Sequence, residues 1–480
     1  MLLDADQCYR ALATHDARFD GRFFVGVATT GIYCRPVCTA RTPRLGNCRF
    51  FPSAAAAEAQ GFRPCLRCRP ELAPGHAAVD ANRRLAQAAA GLIDDGRLAA
   101  DTRLPQLART LGVTDRHLRR VFQEEFGVAP IEYAQTQRLL LAKRLLTDTA
   151  MPVIDVALAS GFASLRRFNH LFRARYRMTP GDLRRAAPAA ARDQLAFDLA
   201  FRPPYDWDAM RDFLARRAIL GVESVEARRY LRTVRVERGG KDLRGWVAVS
   251  PSPRRNALRF VVSASLAAAL PAVLARAKHL FDLACHPDDI AAALGPVAKA
   301  HPGLRLPGAF DGFEIAVRAI LGQQVTVKAG CTIAGRFAAA FGEPLATPHA
   351  ALTRLFPQPS RIALLDTSEV ASVGIIAARA RAIVALAGEL AAGRLRLDPS
   401  AEVDATVAAL ERIPGVGPWT AQYIAMRALA WPDAFPHPDV AVLKAMGEPK
   451  ARGAAARAEA WRPWRAYAVL HLWKSLEKKP

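Results

Sequence analysis

Two close pairs of cysteines near the start of the chain, Cys34-x3-Cys38 and Cys65-x2-Cys68, have the spacing of metal ligands. Two such pairs facing each other across a loop build a tetrahedral thiolate cage for one zinc ion. Zinc keeps a bound thiol deprotonated at neutral pH, against a free pKa of ~8.5, and only the thiolate is a nucleophile. By spacing alone a purely structural zinc module is favoured, with a reactive thiolate as the alternative.

The residues around the cysteines favour the reactive thiolate. The segments TTGIYCRPVC (29–38) and GFRPCLRC (61–68) resemble the N-terminal zinc domain of the Ada family, in which one zinc-bound cysteine accepts a methyl group from a DNA methylphosphotriester. The resemblance implies that Cys34 is the methyl acceptor and that Arg41 contacts a phosphate. Methylation would remove one negative charge from the cluster, and we expect it to tighten DNA binding.

A second group of residues that could do chemistry lies near the end of the chain. Gly415 and Gly417 form a PGVG turn between two helical patterns, and its bare amides can face a phosphate. Asp439 follows in the segment FPHPD (435–439). A carboxylate beside a sugar can stabilise the positive charge that develops when an N-glycosidic bond breaks. The alternative is an ordinary helix N-cap after Pro438.

The hairpin and its following aspartate resemble the helix-hairpin-helix DNA glycosylase superfamily. The resemblance covers the second half and is strongest to AlkA-type 3-methyladenine DNA glycosylases, through PPYDW, LFDLACHP, PGLRLPG, RAILGQQV, IPGVGPWTAQY and WRPWRAYAVLHLW. It implies that Asp439 drives base excision and that Trp419, Tyr423 and Trp473 line a pocket for the flipped base, where cation–π attraction favours a cationic purine. Gln324 takes the position of the family's wedge leucine.

Three absences narrow the reaction that the resemblance implies. Bifunctional relatives carry a catalytic lysine where this chain has Trp419, so no Schiff base and no lyase step are expected. Only Cys285 and Cys331 occur after residue 187, too few for the iron–sulfur cluster of endonuclease-type relatives. Neither lies in the Pro-Cys-His-Arg motif of the second Ada methyltransferase domain. We therefore expect a monofunctional glycosylase without direct guanine repair.

An internal repeat between the two reactive regions predicts a tandem helix-turn-helix domain. The segments 104–127 and 153–176 share helical periodicity, and Gly112 recurs as Gly161. The helix after each glycine carries polar side chains suited to phosphates and base edges, namely Arg116, His117, Arg119 and Arg120 in the first and Arg166, Arg167, Asn169 and Arg173 in the second. The arrangement resembles the AraC-type DNA-binding domain, which implies transcription activation and makes RNA polymerase a candidate partner.

The composition agrees with a nucleic-acid partner. The 480 residues carry a net charge of +23, and both halves are basic, with 29 Lys+Arg against 18 Asp+Glu in residues 1–195 and 38 against 26 afterwards. The hydrophobic fraction of 51% argues against disorder. Clustered cysteines, the absence of a signal-peptide pattern and the absence of a long apolar stretch predict a cytoplasmic protein without membrane contact.

We predict a multidomain, mainly α protein with α+β parts. The expected divisions are an Ada-like zinc domain (1–75), the tandem helix-turn-helix (76–187), a linker (188–195) within an Ala/Pro-rich stretch, an AlkA-like α+β domain (196–302) and the helix-hairpin-helix glycosylase domain (303–480). The predicted function combines a zinc methyl acceptor and activator with a glycosylase acting on alkylated double-stranded DNA. One alternative is a regulator whose glycosylase half only binds damage, and another treats the zinc module as structural.

Overall fold

The computed structural model describes residues 4–73, 84–96, 104–184, 193–238, 240–253 and 255–477. The predicted linker stretch AAPAAA (186–191) lies outside these residues. Within them, no helix combines the length and apolar character needed to cross a membrane.

The zinc region is a small four-stranded sheet with two helices. Its elements are α1 (Ala5–Ala13), β1 (Phe24–Val27), β2 (Ile32–Cys34), β3 (Cys48–Phe51), α2 (Ala54–Ala59) and β4 (Arg63–Pro64). The strand order is β3-β1-β2-β4, with β4 parallel to β2 and the other pairs antiparallel. Asp4 caps α1, which buries Cys8 and Leu12 against Phe23 and Val25.

In the described part of the chain up to residue 184, seven helices follow, and they contain the repeat. They are α3 (Arg84–Asp94), α4 (Leu104–Thr110), α5 (Asp115–Phe126), α6 (Pro130–Asp148), α7 (Val153–Ala159), α8 (Leu165–Tyr176) and α9 (Pro180–Leu183). Gly112 and Gly161 make the turns at φ +69° and +86°, where a side chain would be strained. Thr114 and Ser164 cap the helices that follow. The predicted pair of helix-turn-helix units is therefore present.

The long helix α6 joins the zinc region to the rest of the molecule. Lys143 on α6 forms a buried ion pair with Glu71 at 2.7 Å, and Thr136 donates to the buried Glu58 carboxylate at 3.1 Å. At the other side of α6, the guanidinium of Arg144 lies 4.7 Å from the ring centroid of Phe197. Because these charges are buried, they require fixed partners, and the zinc region is held in one position against α6.

A five-stranded antiparallel sheet follows, in the order β5-β9-β8-β7-β6. Its elements are β5 (Gln194–Ala200), α10 (Trp207–Ala215), β6 (Glu223–Glu226), β7 (Arg229–Arg238), β8 (Lys241–Pro251), β9 (Ala257–Ser263) and α11 (Leu270–Leu280). Strand β5 begins at Gln194, so it includes the last two residues of the predicted linker, because Leu195 is buried in the sheet's core. That core also contains Phe168 and Phe172 of α8.

The remainder is helical. Its helices are α12 (Pro287–Leu294), α13 (Pro296–Lys299), α14 (Gly312–Leu321), α15 (Val327–Phe341), α16 (Pro359–Ile362), α17 (Thr367–Ala371), α18 (Ala377–Ala391), α19 (Val403–Glu411), α20 (Pro418–Ala428), α21 (Val440–Met446), α22 (Ala451–Ala458) and α23 (Arg465–Ser475). They share one apolar core, which already includes Ile290 and Leu294 upstream of residue 303. The architecture agrees with the predicted multidomain, mainly α class.

Candidate metal centre and candidate active site

The fold of the zinc region brings the four predicted ligands together. Strand β2 ends at Cys34, and β4 runs parallel beside it with Tyr33 opposite Pro64. Cys65 follows β4 directly, and its amide donates to the Tyr33 carbonyl at 3.0 Å. A turn closed by the Cys38 amide on the Arg35 carbonyl at 3.1 Å returns Cys38 to Cys34. Each cysteine pair therefore sits at the end of one of two neighbouring strands.

The sulfur atoms fit a single zinc ion. The four Sγ atoms of Cys34, Cys38, Cys65 and Cys68 all lie within 4.8 Å of one another. Four sulfurs at ~2.3 Å from a tetrahedral ion would be roughly 3.8 Å apart, so little adjustment is required. A cage made only of thiolates suits zinc better than calcium or magnesium, which take oxygen ligands.

The sulfurs differ in their hydrogen bonds. Cys68 Sγ accepts from the Arg35 amide at 3.3 Å, and Cys65 Sγ accepts from the Arg67 amide at 3.4 Å. Among the described residues, no amide donates to the sulfur of Cys34. Cys34 and Cys68 are each 9% exposed, against 7% for Cys65 and 3% for Cys38. Of the two more exposed cysteines, Cys68 accepts a hydrogen bond from an amide and Cys34, among the described residues, does not, so Cys34 is the better placed nucleophile.

A buried arginine supports the sulfur cluster from behind. The Arg35 side chain donates to Asp20 Oδ1 at 2.8 Å and to the Cys68 carbonyl at 3.1 Å. Both charged residues are buried, so the pair fixes the loop that carries Cys68. Arg41, the predicted phosphate anchor, lies exposed on the surface of the same region.

The two helix-turn-helix units present their predicted polar side chains to solvent. On α5 and α8 the inward positions are aromatic or apolar, and every predicted contact residue (Arg116, His117, Arg119, Arg120, Arg166, Arg167, Asn169 and Arg173) is exposed. The helices differ in charge, because α5 carries Asp115, Glu124 and Glu125, whereas α8 carries no acidic residue. The attraction to phosphates is therefore stronger at α8.

The predicted hairpin connects α19 to α20 and is exposed. Gly415 has φ +90°, a left-handed conformation, and the backbone at Gly415 and Gly417 is open to solvent. Gln323 Nε2 donates to the Gly415 carbonyl at 2.8 Å and to Thr420 Oγ1 at 2.9 Å. The adjacent Gln324, the predicted wedge, is exposed at φ +52°. The wedge loop and the hairpin are thus tied into one surface.

Asp439 is an N-cap and also part of a larger hydrogen-bond arrangement. Its Oδ1 accepts from the Val442 amide at 2.9 Å, so the N-cap alternative describes the backbone correctly. The same carboxylate accepts from two tryptophans, with Oδ2 2.8 Å from Trp419 Nε1 and Oδ1 3.1 Å from Trp473 Nε1. Capping a helix does not require hydrogen bonds from two indole N–H groups to the carboxylate.

The three predicted pocket aromatics do come together. Trp419 stacks on Tyr423 with centroids 5.3 Å apart and planes 15° apart, and Tyr423 lies 6.3 Å from Trp473 at 41°. All three are only half-buried, which leaves ring surface for a further aromatic group. Parallel rings stack at ~3.4 Å, so a base cannot enter between Trp419 and Tyr423 at their present separation.

The group behind Tyr423 was not foreseen from the sequence. Arg427 is buried, donates through Nη1 to the Tyr423 hydroxyl at 2.7 Å and through Nη2 to the Gly308 carbonyl at 3.0 Å, and lies 5.1 Å from the Phe213 ring centroid. Because the Tyr423 hydroxyl accepts this hydrogen bond, its own proton points away from Arg427. The spacing of Tyr423 and Arg427 on one helix face was the available signal, but such pairs are common.

A cavity of about 1260 Å³ lies away from both centres. It separates α3 and α6 from α11 and from the segment 393–403, and it contains neither Cys34 nor Asp439. Its position identifies a packing gap between the helix-turn-helix units and the glycosylase-like half.

Four family models match the chain in succession. They are the metal binding domain of Ada (7–71), a helix-turn-helix domain (107–186), the AlkA N-terminal domain (196–311) and the HhH-GPD superfamily of base excision DNA repair proteins (317–459). A probable bifunctional transcriptional activator/DNA repair enzyme AlkA of Mycobacterium tuberculosis is 40% identical over 491 aligned positions, which cover 99% of this chain and 97% of the relative. The chain belongs to this AlkA family.

Two other relatives each match one part of the chain. DNA-3-methyladenine glycosylase 2 of Escherichia coli is 37% identical over 277 positions, covering 58% of this chain and 96% of the relative. The bifunctional transcriptional activator/DNA repair enzyme Ada of the same organism is 35% identical over 148 positions, covering 31% and 39%. The predicted resemblance, an Ada-type front half fused to an AlkA-type back half, is confirmed.

Proposed function

We propose that the protein removes alkylated bases from double-stranded DNA as a monofunctional 3-methyladenine glycosylase and senses methylated phosphates through Cys34. The observation that carries the glycosylase assignment is the position of Asp439. Its carboxylate accepts from Trp419 and Trp473, whose rings lie next to Tyr423, and it is on the same domain as an exposed glycine hairpin. A charge, a stacking surface and a phosphate-facing backbone are the three components that base excision needs.

In base excision, Asp439 would face the sugar. Breaking the N-glycosidic bond leaves positive charge on the sugar, which the fixed carboxylate stabilises while water attacks C1′. The aromatic rings favour an alkylated purine because such a base is cationic and stacks well. An alkylated purine is already a good leaving group, so no strong acid is required. Trp419 occupies the hairpin position at which a lysine would form a Schiff base, which favours hydrolysis without strand cleavage.

The hairpin and the wedge loop would hold the DNA. The exposed backbone at Gly415 and Gly417 precedes α20, whose N-terminus attracts a phosphate. Gln323 fixes the distance between that phosphate site and Gln324. Gln324 would then enter the duplex and occupy the space left by the flipped nucleotide.

At the other end, Cys34 would accept a methyl group. The four sulfurs fit one zinc ion, which would keep the thiol of Cys34 deprotonated. The Cys34 sulfur would attack the methyl carbon of a phosphotriester, forming a C–S bond as the C–O bond breaks and the phosphate diester leaves as an anion. The exposure of Cys34 and the lack of an amide donor to its sulfur among the described residues support its choice among the four. The thioether has no return path, so each molecule acts once.

The methylated cluster would carry one negative charge fewer and would repel DNA less. Arg41 would then anchor a phosphate, while α5 and α8 read a promoter through successive major grooves. Activation from such a promoter would require RNA polymerase as a partner.

Base release from methylated duplex DNA tests the enzyme. Wild-type protein should release 3-methyladenine, detected chromatographically, and Asp439→Asn should release it at least 100-fold more slowly while binding the same DNA. Asparagine is as good an N-cap as aspartate, so the variant should fold. If well-folded wild type binds damaged DNA without releasing bases, the protein is a regulator whose glycosylase half only binds damage.

Mass spectrometry tests the methyl acceptor. After incubation with DNA containing a methylphosphotriester, the peptide that contains Cys34 should gain one methylene mass, about 14 Da by the balance of the reaction as one hydrogen is replaced by CH3. Cys34→Ser should gain none, and Cys48→Ser is the matched control outside the cluster. An unmodified Cys34 in zinc-loaded protein would make the zinc module structural.

A further inference from the structure

We propose that Trp419 and Trp473 are positioning residues for the Asp439 carboxylate, in addition to any contact with the base. This inference rests on the proposed function of Asp439. A stacking platform needs only an aromatic face, which phenylalanine or tyrosine also supplies. What distinguishes tryptophan is its indole N–H group, and at both positions that group points at the same carboxylate.

The hydrogen bonds to Asp439 leave little freedom. A carboxylate has about four acceptor positions, two on each oxygen. The Val442 amide and Trp473 Nε1 occupy both positions on Oδ1, and Trp419 Nε1 occupies one on Oδ2. One acceptor position, on Oδ2, is left for the sugar or the attacking water. Oδ2 is therefore the oxygen that meets the substrate.

Three helices converge to produce this arrangement. Trp419 is in the first turn of α20, Asp439 caps α21 and Trp473 lies near the end of α23. The donors consequently fix the carboxylate relative to the hairpin on one side and to the last helix on the other. A charge that is held in place before the reaction needs no reorganisation during it, which is where electrostatic catalysis gains most.

The tryptophan-to-phenylalanine variants separate the two roles, because they keep an aromatic ring and remove the N–H. In Trp473→Phe and Trp419→Phe, the single-turnover rate of base release at saturating DNA should fall about 10- to 100-fold, the range expected for a hydrogen bond to a charged group. Affinity for duplex DNA with an abasic-site analogue should change less than about threefold. The matched control is Trp431→Phe, since Trp431 Nε1 has no hydrogen-bond partner in the described part of the chain.

A double-mutant cycle shows whether the effect acts through Asp439. In the Asp439→Asn background, each tryptophan variant should lower the residual rate less than about twofold. If the tryptophan variants slow the Asp439→Asn protein as much as they slow wild type, or if they weaken DNA binding without slowing the saturated rate, the positioning role is wrong. If Asp439→Asn itself keeps the full rate, it is the proposed function that fails.

Nuclear magnetic resonance supplies a readout that does not depend on activity. The chain has seven tryptophans, so protein labelled with 15N at the indoles has seven indole N–H signals. Asp439→Asn should shift the two signals that disappear in Trp419→Phe and Trp473→Phe, and it should leave the Trp431 signal in place. Unshifted signals at both positions would overturn the inference.

Discussion

The two candidate centres of this molecule hold their key atoms in opposite ways. At the zinc end, four sulfurs come from two short segments, 34–38 and 65–68, and fit one ion. At the glycosylase end, Asp439 is held by side chains and an amide from positions 419, 442 and 473. An ion can replace a hydrophobic core in a small region, whereas a carboxylate without an ion needs the packing of several helices to fix it.

Removal of zinc should have the largest effect. Chelation should abolish amide protection in β1–β4, because structural zinc sites contribute ~10–16 kcal/mol to folding. Base release should change less than about twofold, since none of the donors to Asp439 belongs to the zinc region. Hydrogen exchange read by mass spectrometry, together with the base-release assay, measures both. Equal loss of both properties would show that the glycosylase end depends on the zinc region.

Buried arginines behind the two centres sharpen the comparison. Arg35 pairs with the buried carboxylate of Asp20, whereas Arg427, within the described residues, has a phenol and a carbonyl as partners. Arg35→Met should therefore lower the free energy of unfolding by about 3–5 kcal/mol, because it leaves an uncompensated buried charge. Arg427→Met should cost about 1–3 kcal/mol, the loss of two hydrogen bonds from a charged donor.

Denaturant titration of zinc-loaded protein, followed by hydrogen exchange in each region, measures both costs. The double variant Asp20→Asn with Arg35→Met is the control, since it removes both charges and should recover part of the loss. A cost for Arg427→Met as large as that for Arg35→Met would contradict the distinction between the two arginines.

The difference between cysteine ligands that are local in sequence and a carboxylate fixed by several helices also decides what could be predicted from the sequence. Ligand spacing is local, so Cys34 and its partners were recognisable from two short motifs, and the repeat around Gly112 and Gly161 predicted the helix-turn-helix units for the same reason. Asp439 was named only through the hairpin motif upstream of it. Nothing in the spacing of positions 419, 439 and 473 reveals that two indole N–H groups meet one carboxylate, because that contact depends on how three helices pack.

The junction between the zinc region and α6 was also beyond prediction. Nothing in the sequence marks Glu58 or Glu71 for burial, yet both side chains are buried against α6. Their partners, Thr136 and Lys143, are more than seventy residues away along the chain. The charge pattern of the sequence does not show which residues of such distant elements face each other. Only the tertiary structure pairs Glu58 with Thr136 and Glu71 with Lys143.

This junction makes stability at the zinc end depend on pH. Burial raises the pKa of Glu58 to about 7, although the Tyr33 and Thr136 hydroxyls and the charges of Arg175 and Lys143 act in the opposite direction. The folded state therefore keeps a proton that the unfolded state loses near the ordinary value of 4.5. The stabilisation is complete below that value and is lost as the pH rises through about 7, a change of up to about 3 kcal/mol.

Glu58→Gln keeps a neutral acceptor and should remove this slope. At pH 8 the variant should be more stable than wild type, and at pH 4.5 the two should be equal, as measured by thermal unfolding across the range. Glu71→Gln is the matched control, and its effect on stability at pH 8 should have the opposite sign. Burial alone would raise the pKa of Glu71, but the charges of Lys143 and Arg69 lower it. If both variants changed stability in the same direction at pH 8, the different titration of the two acids would be refuted.

The smallest expected effect concerns Gln324, the proposed wedge residue at the glycosylase end. The side chain is exposed and leaves from a backbone at φ +52°, so truncation should not disturb folding. Gln324→Ala should slow base release about 3- to 10-fold, because the space left by the flipped nucleotide would be unfilled. Gln324→Leu should recover the rate on normal pairs, since leucine fills the same space without polar groups.

Wild-type Gln324 and the Gln324→Leu variant differ in the interactions that they can make with the base opposite the lesion. Glutamine can donate to or accept from the Watson–Crick edge of that base, whereas leucine can only fill volume. Rates measured with each of the four bases opposite the lesion should therefore be more unequal for wild type than for Gln324→Leu. Equal profiles would mean that Gln324 acts through volume alone.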